Sequence, residues 1–257
     1  MKTQILFKNW LTLELEKVSD WLVANQLTLN IAKSNYIIFG GHKASNFNIS
    51  VSDQVLHRVN EAKYLGVIID HKLSWKEHLK RLHTRIKQNT GILRKVGWFL
   101  PRNNLISLYH SLINPHLTYC ITSWGSPATV GLNVINESIV KCAKYVNRVC
   151  PPENCVNFNP LNVDKLFKLE SCKLVHQFLN NSIPSALTDL FQRSHSDNAL
   201  ARKNSKNNVF AIHYDRSYHP LMFYAPQFWN QEKCYKSANL SHSAFSFLMK
   251  EQLGKQG

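Results

Sequence analysis

Residues 63–96 read KYLGVIIDHKLSWKEHLKRLHTRIKQNTGILRKV, and the hydrophobic pattern changes within this stretch. Residues 63–69 are rich in β-branched side chains and form a short apolar run, which is typical of a strand. Asp70 and His71 end that run. Residues 75–96 instead have apolar side chains at helical spacing, on one face of a helix: Leu79, Leu82, Ile86 and Leu93. The sequence therefore predicts a strand followed by a long amphipathic helix.

Upstream of this stretch, the pattern predicts one helix and a small sheet. Apolar residues at helical spacing predict a helix over residues 11–25: Leu11, Leu15, Val18 and Leu22. Short apolar segments then predict strands at residues 36–39, 47–51 and 55–59. Gly40-Gly41 ends the first of these strands. A helix packed on a small antiparallel sheet is an α+β arrangement.

Downstream, the chain is predicted to be mainly helical. A helix capped by Asn103 or Asn104 is expected to end at Asn114-Pro115. Two more helices are predicted over residues 133–149 and 164–179. Residues 194–208 are polar and basic, as in a loop, and residues 210–229 are aromatic-rich without a clear period. With a boundary at Pro151-Pro152, three domains are predicted: residues 1–71, 72–150 and 151–257.

The chain carries a large excess of positive charge. Lys and Arg number 31 against 16 Asp and Glu, which gives a formal net charge of +15 and a pI of about 9.6. A polyanion is a natural partner for such a chain, because each phosphate that it neutralises releases a condensed counterion. The alternative is that the charge only keeps the protein soluble. Because the charge is clustered, we favour a nucleic acid.

The densest cluster of positive charge lies on the predicted helix that follows Asp70. Between residues 72 and 95 the only acid is Glu77, and the basic residues are Lys72, Lys76, Lys80, Arg81, Arg85, Lys87, Arg94 and Lys95. A solvated helix face usually carries both signs, whereas phosphate contact favours one sign. We therefore predict that these residues bind nucleic acid. The flanking aromatics could stack on bases, but a place in the core is the expectation that we favour: Trp75, Trp98 and Phe99.

Cysteine and histidine residues suggest a metal site. Four zinc-type ligands occur at two short spacings: Cys150, Cys155, Cys172 and His176. The first spacing is at the loose limit for zinc, and Cys172 and His176 also fit the core face of a helix. We favour the core for this pair and keep zinc as a weak alternative.

The compartment is predicted from what the N-terminus and the cysteines indicate. Lys8, Glu14 and Glu16 interrupt any apolar run after Met1, so we expect no signal peptide. The longest apolar runs are too short to cross a bilayer, and we expect no membrane partner. The protein is therefore expected to be intracellular, either nuclear or cytoplasmic, with its cysteines as thiols or metal ligands.

Four segments in order resemble one known family. The first is Trp21-Leu-Val-Ala-Asn-Gln-Leu-Thr-Leu-Asn-Ile-Ala-Lys-Ser34, and the second is residues 63–75 with His78. Residues 108–125 and 226–230 follow. Together they resemble the end of the palm, the thumb and the C-terminal region of reverse transcriptases of non-LTR retrotransposons (LINE, jockey-like). The resemblance implies an RNA-directed DNA polymerase fold, in which the helix after Asp70 is the first thumb helix and grips the template–primer duplex. RNA, DNA or an RNA–DNA hybrid is the implied partner.

The chain departs from the family pattern at the catalytic residues. The family holds Mg²⁺ with carboxylates, one of them in an aromatic-x-Asp-Asp turn, whereas this chain has no Asp-Asp pair. We therefore expect a fragment with no cofactor and no polymerase activity of its own. The resemblance aligns Lys33 with a palm lysine near the incoming nucleotide, although a solvated lysine is the interpretation that we favour. The family threonine that follows is Ser34.

Three functional hypotheses remain open on the sequence. The first is a polymerase fragment that binds nucleic acid. The second is a co-opted basic module that binds nucleic acid or protein, and the third is a non-functional relic. A partial palm would leave an open strand edge and exposed apolar surface, and the catalytic half of the polymerase, if it is made separately, is a further expected partner.

Overall fold

The computed structural model describes residues 2–39, 48–51, 54–149, 157–185, 187 and 220–255. The chain divides into two compact units, Met1–His78 and Leu79–Gly257. The Pro151-Pro152 boundary and the predicted loop at residues 194–208 lie outside the described residues. The three-domain division stays a prediction.

The first unit combines one long helix with short strands. Its elements are α1 (Lys2–Ala24), a 3₁₀ turn (Ile31–Lys33), β1 (Asn35–Tyr36), β2 (Ser50–Val51), β3 (Gln54–Val55), β4 (His57–Arg58), β5 (Glu61–Tyr64) and β6 (Val67–Asp70). In the described part these strands form three two-stranded sheets: β1 parallel to β4, β2 antiparallel to β3 and β5 antiparallel to β6.

The helix of the first unit covers a small apolar core. Leu11 and Leu15 of α1 pack against a cluster on the short strands and the turn between β3 and β4: Ile49, Val51 and Leu56. The helix begins earlier than the predicted residue 11, because no Pro or Gly interrupts residues 2–10. Val18, which contributed to the helical spacing, is 51% exposed.

Residues 61–70 form a hairpin, and the prediction of a single strand over residues 63–69 is wrong. The two turn residues are Leu65, with φ of 44°, and Gly66, with φ of 89°. Positive φ at both central residues is the mark of a type I′ turn, which matches the twist of the flanking strands. Leucine rarely occupies the left-handed region, so the local sequence concealed the turn. Similarly, the strand predicted at residues 36–39 is confined to β1.

The second unit is helical in its described part. Its helices are α2 (Lys76–Val96, which begins in the first unit), α3 (Arg102–Leu112), α4 (Asn114–Thr118), α5 (Ile121–Trp124), α6 (Leu132–Val149), α7 (Val163–Leu179), α8 (Pro220–Gln231) and α9 (His242–Lys255), with a 3₁₀ turn at Cys234–Ser237. The predicted helices at residues 75–96, 133–149 and 164–179 are confirmed to within one residue. The α+β class is confirmed.

Three details of the second unit differ from prediction. The N-cap of α3 is Pro101, which makes no side-chain cap bond, so capping by Asn103 or Asn104 is wrong. The helix α3 does end at Leu112, next to the predicted end at Asn114-Pro115, but a further short helix that was not predicted, α4, follows it, with Pro115 in its first turn, where the missing N–H costs nothing. Residues 220–231 form a helix rather than irregular chain, although Pro226 lies inside it.

The described helices of the second unit bury their apolar faces. The predicted apolar face of α2 is buried, with Ile86 and Leu93 fully enclosed, and so is that of α6. A hydrophobic cluster joins α7, α8 and α9 around Trp229 and Phe245. Among the described residues, no helix combines the length and the apolarity needed to cross a membrane.

Candidate nucleic-acid interface

The loop before α2 is built around the carboxylate of Asp70. One oxygen accepts hydrogen bonds from the backbone N–H groups of Lys72, at 3.0 Å, and Ser74, at 3.1 Å. The other accepts from the N–H of Trp75, at 2.8 Å, and from the Ser74 hydroxyl, at 3.2 Å. Burial alone would raise the pKa of Asp70, but the four hydrogen bonds together lower it below its ordinary value. The ionised carboxylate therefore fixes the point at which α2 begins.

The loop also contains two residues in the left-handed region. Leu73 has φ of 52° and Trp75 has φ of 63°. Such conformations cost roughly 1–2 kcal/mol each for residues with a Cβ. In addition, His78, in the first turn of α2, accepts a hydrogen bond at Nδ1 from the N–H of Ile68 on β6, at 3.5 Å. The hydrogen bonds of Asp70 and His78 hold the strained loop in place.

All eight predicted nucleic-acid-binding residues have exposed side chains. Lys72 and Lys76 lie in the first unit, and the other six lie on the part of α2 in the second unit. With a turn of 3.6 residues, Lys80, Lys87 and Arg94 follow one line along the helix, and Arg81 and Arg85 follow another. Both lines lie away from the buried face. The structure thus presents these cations to solvent, while their role in binding stays a prediction.

The surroundings of α2 are unusually poor in negative charge. The sequence contains no acidic residue between Glu77 and Glu137. Among the described residues, no ion pair joins Arg81, Arg85 or Lys87 to a carboxylate. Cations therefore outnumber acids on this face, and an external polyanion would be attracted to it.

A second basic row lies on α6, beside α2, and the sequence interpretation missed it. Lys141, Lys144 and Arg148 are exposed on the face opposite the buried stripe. In the part of the chain that the structure describes, Lys141 is the one cation of this row with an ion pair, to Glu137 at 3.5 Å. These cations are three and four residues apart in the sequence, which places them on one helix face away from the apolar stripe. This spacing could have identified the row from the sequence.

Side-chain contacts hold α6 against α2. The Ser138 hydroxyl lies 3.0 Å from Nδ1 of His83. The Tyr145 hydroxyl donates to the carbonyl of Arg94 at 3.1 Å. Burial, Lys87 and Lys141 lower the pKa of His83, partly offset by Glu137. Cations from both helices thus lie close to one imidazole, and the two basic rows are neighbours.

The aromatic residues after α2 do not lie in the core. Trp98 is 88% exposed and Phe99 is 86% exposed, so the favoured prediction of core packing is wrong for both. Trp75, in the first unit, is partly buried. The chain turns back toward α3 directly after Val96, so residues 98 and 99 lie outside the packed helices.

The palm-like lysine occupies a simple turn. Lys33 ends the 3₁₀ turn, its side chain is exposed, and its N–H donates to Oδ1 of Asn30 at 3.1 Å. This placement is compatible with a solvated lysine. Its predicted role near a nucleotide stays a prediction.

The candidate zinc ligands are only partly described. Cys150 and Cys155 lie outside the described residues. Cys172 is fully buried, and its hydrogen bond with Cys234, followed by burial, raises its pKa well above the ordinary value. His176 is also buried, points a ring nitrogen at the Leu240 carbonyl at 3.0 Å and stacks on Phe245 at 4.3 Å. Among the described residues, no three Cys, His, Asp or Glu side chains converge to hold a metal ion. Zinc binding stays a prediction.

The described carboxylates do not fit the magnesium site that the resemblance implies. Such a site needs carboxylates that converge on two ions. Asp20 lies on the exposed side of α1, and Asp70 is engaged by the loop before α2. Asp164, in the first turn of α7, accepts a hydrogen bond from the side-chain amide of Asn136 on α6, at 3.3 Å.

The chain is similar to three polymerases of mobile elements. It is 25% identical over 209 residues to the RNA-directed DNA polymerase from mobile element jockey of Drosophila funebris, which covers 76% of this chain and 22% of that protein. It is 24% identical over 141 residues to the jockey polymerase of Drosophila melanogaster, covering 52% of this chain and 15% of that protein. It is 24% identical over 115 residues to the probable RNA-directed DNA polymerase from transposon X-element of Drosophila melanogaster, covering 42% of this chain and 12% of that protein.

These relatives confirm the resemblance to the reverse transcriptases of jockey-like elements. The chain spans less than a quarter of the length of each of them. No family model matches the chain. No solved structure matches it either.

Proposed function

We propose that this chain, which is similar to jockey-like reverse transcriptases over most of its length, binds the phosphate backbone of a nucleic acid through α2. The observation that carries the proposal is the exposed face of α2, on which Arg81, Arg85 and Lys87 form no ion pair with a described carboxylate and the only acid of the helix is Glu77 in its first turn. Phosphate contacts by Lys and Arg supply most of the affinity of such surfaces, and they orient the protein on the duplex. Because the relatives are named RNA-directed DNA polymerases, an RNA–DNA hybrid is the proposed ligand.

The row on α6 extends the proposed surface. Lys141 and Lys87 lie near the same imidazole, so the two helices present their cations side by side. The part of α2 from Lys80 to Arg94 is about 21 Å long at 1.5 Å per residue. Along one DNA strand, phosphates follow each other about every 3.4 Å, so this length faces several successive phosphates. Two adjacent rows therefore suit a backbone better than a single small anion.

The proposal includes no polymerase activity by this chain alone. It rests on the lack of an Asp-Asp pair in the sequence and on the described carboxylates, which do not converge. Purified chain, incubated with primed RNA template, deoxynucleotides and Mg²⁺ or Mn²⁺, is expected to leave the primer unextended. Metal-dependent extension would contradict this part of the proposal.

The test of binding is a salt titration with a matched control. The variant changes Arg81, Arg85 and Lys87 to Ala, and the control changes three exposed cations elsewhere, Lys236, Lys250 and Lys255, to Ala. Both variants lose the same net charge. Binding of a labelled blunt RNA–DNA hybrid is measured by fluorescence anisotropy at several salt concentrations.

The expected result is a difference in slope between the two variants. Each lost phosphate contact lowers the slope of log K against log salt by about one unit, so the α2 variant is expected to lose about three units. The control is expected to keep the slope of the parent. Equal slopes in the α2 variant and the parent, or equal losses in the variant and the control, would show that α2 makes no specific phosphate contacts.

A second candidate function is protein interaction through the first unit. Large apolar side chains are exposed on α1, among them Trp10 at 55%, Trp21 at 60% and Val23 at 69%. Trp10 and Trp21 lie about three turns apart on the same side of the helix. Exposed apolar surface of this kind is typical of a contact with another chain. The proposed partner is the remaining, catalytic part of a jockey-like polymerase.

Co-sedimentation tests this second candidate. The probe is the part of the Drosophila funebris jockey polymerase that this chain does not match, produced separately. The expected result is a complex that Trp21→Ala weakens and that exposed Phe247→Ala, in the second unit, leaves intact. If the parent chain sediments alone, protein interaction through α1 loses its support.

A further inference from the structure

The turn after α2 displays two aromatic rings to solvent. Trp98 and Phe99 are more exposed than any other large apolar side chain in the described part of the chain, at 88% and 86%. An adjacent pair with almost no packing is unusual, because large aromatic rings normally gain stability from burial. An exposed aromatic pair of this kind is therefore a candidate contact site for a ligand.

The N-terminal side of the turn is held by α6. Gly97 donates to the Leu93 carbonyl at 2.9 Å, and Phe99 donates to the Val96 carbonyl at 3.0 Å. The hydroxyl of Tyr145 donates to the Arg94 carbonyl just before the turn. A Cβ on Gly97 would lie 2.2 Å from that hydroxyl oxygen, so only glycine admits this close approach. The turn is thus fixed at its start.

The C-terminal side of the turn is held by the same helix. Arg102, in the first turn of α3, is 8% exposed and donates to Oδ1 of Asn147 at 3.0 Å. Asn147 is itself fixed, because its amide group donates to the Phe158 carbonyl and its oxygen accepts from the Phe158 N–H, both at 2.9 Å. With both ends tied to α6, the aromatic pair lies on a rigid support, which lowers the entropy cost of binding a ligand.

The charges around the turn point to the chemistry of that ligand. Arg94 and Lys95 precede the aromatic pair, and Lys144 and Arg148 flank the two α6 residues that hold it. No acid occurs between Glu77 and Glu137. Aromatic faces surrounded by cations suit a nucleotide, which combines a flat base with a phosphate.

We propose that Trp98 and Phe99 form a stacking platform for unpaired bases, at the end of the basic surface on α2 and α6. The inference rests on the proposed function, because the duplex on α2 supplies the strand that continues onto the platform. It adds a preferred ligand, namely a hybrid duplex with a single-stranded extension. Stacking is tolerant of sequence, since every base has an aromatic face.

The experiment compares two labelled ligands and two double variants. The ligands are a blunt RNA–DNA hybrid and the same hybrid with a short single-stranded RNA extension. The variant carries Trp98→Ala with Phe99→Ala. The control carries Phe247→Ala with Leu248→Ala, which removes two other exposed apolar side chains, 69% and 43% exposed, from α9. Affinities and salt slopes are measured for all four combinations and for the parent.

The parent is expected to bind the extended hybrid more tightly than the blunt one, and the Trp98/Phe99 variant is expected to lose that gain. Stacking of one base raises the affinity roughly tenfold, so the variant is expected to bind the extended hybrid about tenfold or more weakly than the parent. Affinity for the blunt hybrid and the salt slope are expected to stay unchanged, because stacking releases no counterions. The control is expected to match the parent throughout.

Other outcomes separate this inference from the proposed function. If the extension adds no affinity, or if the variant binds both ligands like the parent, the platform is overturned while duplex binding by α2 stands. If the blunt hybrid does not bind but the extended hybrid does, and the Trp98/Phe99 variant loses that binding, the platform stands and the duplex proposal fails. Self-association of the parent that the variant abolishes, with unchanged nucleic-acid affinity, would assign the pair to protein contact and overturn the inference.

Discussion

The α2–α6 surface and the α7–α9 core use the same kinds of residue in opposite ways. On α2 and α6, cations point to solvent with almost no acid nearby. Between α7 and α9, by contrast, Lys168 forms an ion pair with Glu232, and their side chains are only 19% and 6% exposed. Burial and local partners therefore decide whether a charged residue serves binding or stability, and the residue type alone does not.

The polar groups in the α7–α9 core are engaged within the protein. Gln252 of α9 donates to the Glu232 carboxylate at 2.9 Å, so this acid joins three helices together with Lys168. Cys172 and His176, which the sequence suggested as metal ligands, pack in the same core. These side chains therefore contribute to the packing of the core.

The largest effect is expected from Glu232→Ala. Removing one partner of a buried ion pair leaves the other charge uncompensated, and this costs about 3–5 kcal/mol of the free energy of unfolding. The control is Glu251→Ala, which breaks the exposed pair between Glu251 and Lys255 and is expected to cost about 0.5 kcal/mol or less. Urea unfolding of both variants measures the difference. Similar small losses in both would show that the buried pair contributes no more than a surface pair.

A smaller effect is expected from Gly97→Ala, which tests how firmly the aromatic turn is built. The new Cβ would displace the Tyr145 hydroxyl from the Arg94 carbonyl, and overpacking of this kind costs about 1–3 kcal/mol. Adding Tyr145→Phe removes the clashing oxygen and is expected to restore part of the loss. Urea unfolding of the single and double variants measures this coupling.

Gly91→Ala is the matched control for this cycle. No atom lies within 4 Å of its added Cβ, and within α2 the substitution is expected to stabilise the chain by up to about 1 kcal/mol. If Gly97→Ala is as harmless as Gly91→Ala, the turn is not held by the close approach to Tyr145, and the rigid platform loses its support.

Helices with a clear apolar stripe could be predicted from the sequence. The faces of α2, α6 and α7 carry enough regularly spaced apolar residues to fix both the type and the approximate bounds of each helix. The helix α8 was missed because Pro226 and clustered aromatics suggested irregular chain. Its buried residues Leu221, Ala225 and Trp229 nevertheless recur at helical spacing, so the signal was present.

Other features depend on contacts that the local sequence does not contain. The turn at Leu65 places a leucine in the left-handed region, where it joins the paired strands β5 and β6. The exposure of Trp98 and Phe99 depends on where the chain turns back toward α3. Aromatic residues next to an amphipathic helix are usually core, so local pattern favoured the wrong interpretation for both.

The candidate site was predictable in its charge but not in its extent. The basic residues of α2 were identified because one sign dominates the segment, and all of them are exposed. The neighbouring row on α6 required the packing of α2 against α6, through His83 and Tyr145, to become part of the same surface. Sequence spacing shows which face a residue occupies, whereas only the fold shows which faces are adjacent.

The smallest effect on the free energy of unfolding is expected from Asp70→Asn. Backbone N–H groups bind the Asp70 carboxylate, whereas Lys168 binds the Glu232 carboxylate. An amide can accept hydrogen bonds through one oxygen only, so part of the set that fixes Leu73 and Trp75 is lost. Because Asp70 is largely solvated, we expect a loss of only about 1 kcal/mol at neutral pH. The pKa of Asp70 in the folded protein lies below the ordinary 3.8. The ionised carboxylate therefore stabilises the fold at pH values above 3.8, and this stabilisation is lost as the pH falls through the folded pKa.

The pH dependence distinguishes this hydrogen-bonded carboxylate from a merely exposed one. Chemical unfolding of the parent and of Asp70→Asn, followed from neutral pH down to about 3, is expected to show a stability difference that narrows in acid, because the parent then loses its ionised carboxylate. Asp20→Asn is the control, since it removes an exposed carboxylate of α1, and it is expected to stay within about 0.5 kcal/mol of the parent at neutral pH. A difference for Asp70→Asn that does not narrow in acid would mean that the ionised carboxylate does not hold the loop, and that the start of α2 is fixed instead by β6 and His78.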